Sequence, residues 1–307
     1  RPGVGFRAVN IDGTLREPAN FGWAIAANPF DEPWNDKARE GKVRLDTGTY
    51  DASFVALALP APAFSWVVGH SYNGNQGTSS HHDSLGPAGY NWSCDFQPEL
   101  VYWQPGGSIS TDDVMYMVLS ATSVLEFRRK GTTGDDASVF IGVNGAAGGM
   151  KVVTASSAPD LIYYYDQTGL EVTFLGINDS DIPTAKQGQL WRIARRGEND
   201  SATTDDFIAY VGDTNVSTAV GTGVGSGYDS SGRITVAYDT AGRKYENTYT
   251  SSRLTKVEVK VFSGGSWVAT GDKVEYEYYN GTTETGNGAL NDLKLVTVTR
   301  PTSDSTK

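Results

Sequence analysis

The hexad Tyr228-Asp229-Ser230-Ser231-Gly232-Arg233 recurs ten residues later as Tyr238-Asp239-Thr240-Ala241-Gly242-Arg243. This pattern describes a strand, a tight turn and another strand. The Tyr ends a strand, and the Asp side chain accepts from a backbone N–H two residues on. The Gly supplies the positive φ needed to leave the turn. Between the copies, Ile234-Thr235-Val236-Ala237-Tyr238 has the residue types and length of one strand. A looser copy without the Arg, Tyr165-Asp166-Gln167-Thr168-Gly169, lies upstream. Composition agrees: 36 glycines, 16 tyrosines and only 20% charged residues suit short strands and tight turns rather than helices. No segment of ten or more residues shows a 3.6-residue apolar period, so the expected fold is all-β.

Strands are expected at Gly41–Leu45, Ser53–Leu59, Ala63–Tyr72, Trp92–Trp103, Val114–Leu119, Glu126–Lys130 and Val139–Val143. A more monotonous series follows: Leu161–Tyr165, Leu170–Leu175, Leu190–Ala194, Phe207–Val211, Ile234–Tyr238, Arg243–Tyr249, Leu254–Phe262, Val274–Tyr279 and Leu293–Val298. Gly-, Asn- and Asp-rich turns separate them. Asp213–Gly227 reads as a long surface loop. These signals divide the chain into a loop-rich arm at 1–41, carrying Trp23 and Trp34, a β region at 42–155, and a β-hairpin ribbon at 156–307. Hairpins in such number must close into a barrel, pack as a sandwich, or wind into a ribbon.

A formal net charge of −11 disfavours nucleic acid and anionic lipid as partners. The basic runs Arg128-Arg129-Lys130 and Arg192–Arg196 read as solvated strand ends. The apolar stretch Phe54–Leu59 is too short to span a membrane. The single cysteine, Cys94, excludes an internal disulfide framework. Low Cys with abundant Gly, Ser, Thr, Asn and Asp fits a bacterial exported protein. The first residue, Arg1, is expected to follow processing or excision from something longer, and the polar tail from Pro301 to Lys307 hints that neighbouring chain or subunits hold the ends.

The hexads resemble the YD repeats of the RHS family. Upstream, Val43-Arg44-Leu45-Asp46-Thr47-Gly48, Leu57-Ala58-Leu59-Pro60 and His70-Ser71-Tyr72-Asn73-Gly74 are similar, in order, to the segment that opens an RHS shell. Ser84–Ser93 resembles the family's Leu-Gly-x-Gly-Trp element, and Gly169, Phe174 and Gly188–Ile193 its early strand turns. Departures are specific: His70 stands where Arg is usual, Gly74 where Ser is usual, and two residues are inserted before Trp92. The matches run from about residue 42 to about 262. The resemblance implies an antiparallel β-hairpin ribbon of RHS/YD-repeat type. The family's Asp-Pro-x-Gly self-cleavage core and an effector domain are missing from this sequence, and a handful of repeats cannot close a large cocoon.

Candidate chemistry is sparse. His81-His82-Asp83 with His70 is the one cluster resembling metal ligands, weighed against a solvated loop; adjacent histidines on extended chain point to opposite sides. Asn178-Asp179-Ser180-Asp181 and Asp135-Asp136 have oxygen ligands suited to calcium, or to turns. Cys94 has no His–Asn partner readable in sequence. Gly225-Ser226-Gly227 lacks the spacing of a nucleophile elbow, and Gly145–Gly149 lacks the Lys of a phosphate loop. Asn91, Asn178, Asn199, Asn215 and Asn280 head Asn-x-Ser/Thr sites. Tyr163-Tyr164-Tyr165 and Tyr276, Tyr278 and Tyr279 suit either packing between strands or a sugar platform, with Tyr164 as the test position.

The sequence thus leads to an expected non-enzymatic structural protein at the cell surface or outside the cell. It assigns no catalytic, cofactor-binding or metal residue. The expected partners are copies of itself, joined by β-strand addition into an oligomer or filament. A shell-wall segment of a longer RHS toxin-delivery or surface protein, and a carbohydrate-binding β module, are the alternatives.

Overall fold

The computed structural model describes residues 42–43, 50–62, 65–73, 85–154, 159–195, 207–212, 226–281 and 290–301. The arm at 1–41, the His81-His82-Asp83 segment, Asn199, Asn215, residues 213–225 of the expected loop and the tail at 302–307 lie outside the described residues.

The described chain is all-β and antiparallel, with two short 3₁₀ turns at Gly134–Ser138 and Thr184–Lys186. Its strands are β1 (Lys42–Val43), β2 (Tyr50–Ala58), β3 (Val67–Asn73), β4 (Leu85–Gly86), β5 (Gly89–Tyr90), β6 (Trp92–Cys94), β7 (Glu99–Trp103), β8 (Val114–Ser120), β9 (Ser123–Arg129) and β10 (Val139–Val143). There follow β11 (Gly149–Val153), β12 (Leu161–Tyr165), β13 (Leu170–Leu175), β14 (Leu190–Arg195), β15 (Phe207–Val211), β16 (Val236–Tyr238), β17 (Lys244–Thr250), β18 (Arg253–Ser263), β19 (Ser266–Tyr278) and β20 (Leu293–Thr299). No helix among the described residues is long and apolar enough to cross a membrane.

Two compact units divide the described chain after Phe96 and after Gly232. In the unit that spans Gln97–Gly232, β7 to β15 pair in chain order. One face is apolar along successive register partners, Phe140, Met150, Tyr164 and Val172, and all four are buried. The sheet curls toward that face. Phe127 on β9 and Tyr164 on β12 bring their ring centroids to 5.7 Å, although three strand spacings in a flat sheet come to about 14 Å. The curl carries β7 back to the lead-in of β14. Leu100 N–H donates to Gly188 O at 2.7 Å, and Glu99 bridges to Gln189.

The other unit combines chain from before Phe96 and after Arg233. The sheet β1-β2-β3-β6 faces the run β16-β17-β18-β19-β20. Trp66 meets Tyr245 at 6.4 Å between centroids, and the hexad residue Arg243 donates across to Leu59 O (3.1 Å) and Pro60 O (2.7 Å). Pro87, in the β4–β5 turn, accepts from Leu254 N–H at 2.8 Å and from Tyr278 Oη–H at 3.2 Å.

Several strand expectations change: the short β4 and β5 were not expected, and β9 begins at Ser123 rather than Glu126. Trp92–Trp103 is broken over residues 95–98 into β6 and β7. β11 was not expected, because Lys151 and the glycines around it dilute the strand signal. β19 begins at Ser266, not Val274. Gly264 and Gly265 both take positive φ (60° and 84°) in the two-residue turn that joins it to β18, which such a tight hairpin requires. Gly271 (φ 92°) and Asp272 interrupt the apolar alternation within this long strand, which hid its first half.

Candidate functional site

The hexads are turn devices in atomic detail. Asp229 Oδ1 accepts from Ser231 N–H (2.8 Å), and Asp239 Oδ1 from Ala241 and Arg243 N–H (2.9 and 3.0 Å). In the looser copy, Asp166 Oδ1 accepts from Thr168 and Leu170 N–H (2.8 and 3.0 Å). The three glycines, Gly169, Gly232 and Gly242, all have φ between 73° and 80°. Asp239 also accepts from the Arg243 guanidinium (Nε at 2.7 Å) and from Tyr245 Oη–H (3.2 Å). Burial and the adjacent Asp239 carboxylate push the Tyr245 hydroxyl well up, so it stays a donor. The hexad carboxylates therefore serve turns.

The polar groups with the strongest perturbation lie between the sheets of the discontinuous unit. His70 is fully buried on β3, unlike a solvated-loop residue, with Nε2 2.7 Å from Tyr276 Oη on β19. Burial lowers His70 to about 4, against a smaller opposing push from the Ser93 backbone. Asp95 accepts from Ser71 Oγ–H at 2.5 Å; burial raises its carboxyl to about 7, with the Ser71 bond opposing. Cys94 is buried, and burial pushes its thiol well up, which makes it unreactive. This cluster ties β3 to β19 across the two sheets. Sequence alone could not find it, because His70 and Tyr276 are 206 residues apart.

Arg129 is not a solvated strand end. Its Nε donates to Asp113 Oδ2 (2.9 Å) and its Nη2 to Tyr102 Oη (2.8 Å), with its guanidinium 4.6 Å from the Phe140 centroid. Burial alone would raise Asp113, but donors from Tyr102, Ser110 N–H and Arg129 outweigh it and hold the carboxyl low. Arg192 is likewise paired, to Glu171 at 2.5 Å. Arg128 does lie exposed, beside Glu126 at 2.9 Å.

The calcium candidates are occupied with local bonds. Asp179 accepts from Asp160 N–H (2.6 Å) and Asp181 N–H (2.8 Å), while Asp136 pairs with Lys130 at 2.8 Å. No group of three or more metal-ligating side chains occurs among the described residues. Asn91 is buried and Asn178 and Asn280 are exposed. The Tyr163–Tyr165 run splits by alternation. Tyr164 turns to the core and donates to Ala147 O at 3.1 Å, whereas Tyr163 and Tyr165 lie parallel on the other face at 6.0 Å, with Tyr165 exposed. Tyr276 and Tyr278 are packing residues, and the single Tyr278 hydroxyl proton is shared between Leu254 O (2.8 Å) and Pro87 O (3.2 Å).

The remaining candidate is a strand edge. β20 ends its sheet: β19 pairs with it on one side, and no strand among the described residues pairs with it on the other. One inward row crosses the sheet through the register partners Asn247, Val257, Val274 and Val298. The two central valines are 1% and 0% exposed, yet Val298 is 41% exposed. The apolar row thus reaches the edge uncovered, and Leu295 is also exposed on the same strand. The only charged side chain of β20, Lys294, turns back to Glu277 (3.9 Å) and to the Tyr279 ring (6.0 Å). The usual guards of an edge, charge and proline, are thin along this strand. No protein-family model matches the chain, and no curated protein matches it either.

Proposed function

We propose that this chain is a non-enzymatic structural protein of RHS/YD-repeat type that works outside the cell by strand addition between copies. The exposed edge of β20, where an apolar row stops uncovered, is the observation that carries this reading. Its backbone donors and acceptors form a ready template for another strand. Sequential hairpin pairing and hexad turns also support a ribbon-like wall, whether in this chain alone or as part of a longer shell. Sedimentation velocity over a wide concentration range tests the assembly: a rising weight-average mass is expected, and a constant monomer mass would refute it.

A second reading, carbohydrate binding, is favoured by the parallel Tyr163–Tyr165 pair. Such rings suit the apolar face of a sugar. Glycan-array binding that is lost in Tyr165→Ala and kept in Tyr163→Phe would support it. Tyr164→Ala is not its test, because that side chain lies in the core.

A further inference from the structure

We propose that the tip of the β18–β19 hairpin is a lipid-contact site that dips into the neutral, zwitterionic interface of a membrane. The inference is independent of strand addition, which uses β20.

β18 and β19 outrun their neighbours. β17 pairs with β18 no further than Lys260, and β20 pairs with β19 no nearer the turn than Lys273. Past Lys260 the two strands pair with each other through Val261↔Val268, Phe262↔Trp267 and Ser263↔Ser266, and close at Gly264-Gly265. Three residues at about 3.4 Å each make a projection of about 10 Å.

This tip is apolar on both faces. Opposed residues share a face and successive ones alternate, so Val261 and Val268 lie on one side and Phe262 and Trp267 on the other. Phe262 is 63% exposed, the most of any large hydrophobic residue among those described, and Val268 is 48% exposed. Trp267 is half-buried, with the Tyr238 and Phe262 ring centroids each 5.4 Å away, so it braces the exposed Phe262 ring. No charged residue occurs from Val261 to Gly271. A protein surface or a sugar ring covers one face of a ribbon, whereas lipid surrounds both. Tryptophan also favours the membrane–water interface.

Charge sets the kind of lipid. Behind the tip, on the Phe262 face, Lys260 pairs with Glu246 and Glu258, and Lys244 with Glu246 at 2.8 Å. This collar carries both signs, as phosphocholine headgroups do, while the net charge of −11 opposes anionic lipid. A projection of about 10 Å crosses a headgroup zone about 5–7 Å deep and reaches only the top of the hydrocarbon. Its outer strand edges, whose burial would be costly any deeper, thus stay within reach of water.

Flotation of the full chain with phosphatidylcholine vesicles tests the site. Binding is expected, and Phe262→Asp and Val268→Asp, one on each face, should each weaken it about tenfold or more. Ile109→Asp, at an exposed apolar position in the other unit, should leave it unchanged. All three positions are exposed, so thermal melts should show the fold intact. Admixed phosphatidylglycerol at low salt should weaken binding, and binding that requires it would overturn the neutral-lipid assignment. Cys94 is buried with its thiol pushed up, so a polarity-sensitive dye on Ser263→Cys reports the tip alone. Its emission should shift to the blue with vesicles, while the same dye on Ser251→Cys, in the turn at the far end of β18, should not respond. Absence of binding to phosphatidylcholine, or binding that survives both Asp variants, would overturn the site. If Phe262→Asp instead lowers the sedimentation mass of a protein that ignores vesicles, the tip is a contact between copies and the lipid assignment fails. A constant monomer mass with vesicle binding intact would refute strand addition and leave the lipid site standing.

Discussion

The two units solve the same problem differently. Both are built from sequential antiparallel hairpins, and both must do something with the strands at their ends. In the Gln97–Gly232 unit the sheet curls until β7 reaches the approach to β14. Polar side chains then lock the seam: Gln189 Nε2 donates to Glu99 Oε2 at 2.9 Å, and Gln97 Nε2 to Gln189 Oε1 at 3.0 Å and Gly232 O at 2.7 Å. In the discontinuous unit a second sheet covers the first instead, and the cover leaves Leu295 and Val298 of β20 exposed. Curling seals its first strand's edge with its own chain; sandwiching leaves β20 with an edge that no strand among the described residues pairs.

The largest expected effect probes the lock inside the curled unit. Asp113→Ala strands the Arg129 guanidinium without its carboxylate, at a cost of about 3–5 kcal/mol typical of broken buried pairs. Urea unfolding should show it; a loss under about 1 kcal/mol would mean that the Tyr102 and Phe140 contacts alone hold Arg129.

The hexad glycines sharpen the comparison next. Gly232 and Gly242 occupy equivalent turn positions with φ of 76° and 73°. A Cβ on Gly232 would lie 1.8 Å from Ala185 O, whereas one on Gly242 meets nothing within 4 Å. Gly242→Ala should therefore cost only the left-handed backbone penalty, about 1–2 kcal/mol. Gly232→Ala adds a backbone clash, for about 2–4 kcal/mol in all. Equal costs in thermal melts would mean that the close approach at Gly232 relaxes freely.

A smaller effect concerns pH in the sandwiched unit. Asp95 is raised in the fold to about 7. Its folded form holds the extra proton, so its contribution is full below the unfolded value and drains as pH rises through 7. His70, lowered to about 4, acts oppositely: its contribution is present above about 6.5 and is lost as pH falls toward 4. The two offset each other between pH 4 and 6.5. Asp95→Asn keeps an acceptor for Ser71 and cannot ionise. Its stability advantage over the parent should grow by up to about 1.4 kcal/mol per pH unit toward pH 7, then level off, and the variant should lose stability in acid more steeply than the parent. A pH-independent difference would show that Asp95 is not held protonated.

How much of this was legible in sequence follows from locality. The Asp–Gly turns at 229–232 and 239–242 are complete within six residues, and their hydrogen bonds match the roles assigned from residue type. The succession of hairpins was also readable, but the strand order was not; it follows the chain from β7 to β15 and again from β16 to β20. What could not be read depends on distant chain. The partner of His70 lies on β19, the carbonyls that anchor Arg243 belong to Leu59 and Pro60, and Arg129 looked solvated because Asp113 precedes it by 16 residues. The exposed edge belongs to the same class. Val298 resembles Val274 in sequence, and only the strand order, which makes β19 internal and β20 terminal, separates them.

Amide hydrogen exchange along β20, measured as a function of protein concentration, tests the exposed edge most directly. Alternate amides of the strand point toward β19 and should be protected at every dilution. The intervening ones should exchange fast when dilute and gain protection as copies pair. Protection of both sets that does not change with dilution would show that the edge is already covered within one chain, and would contradict assembly through β20.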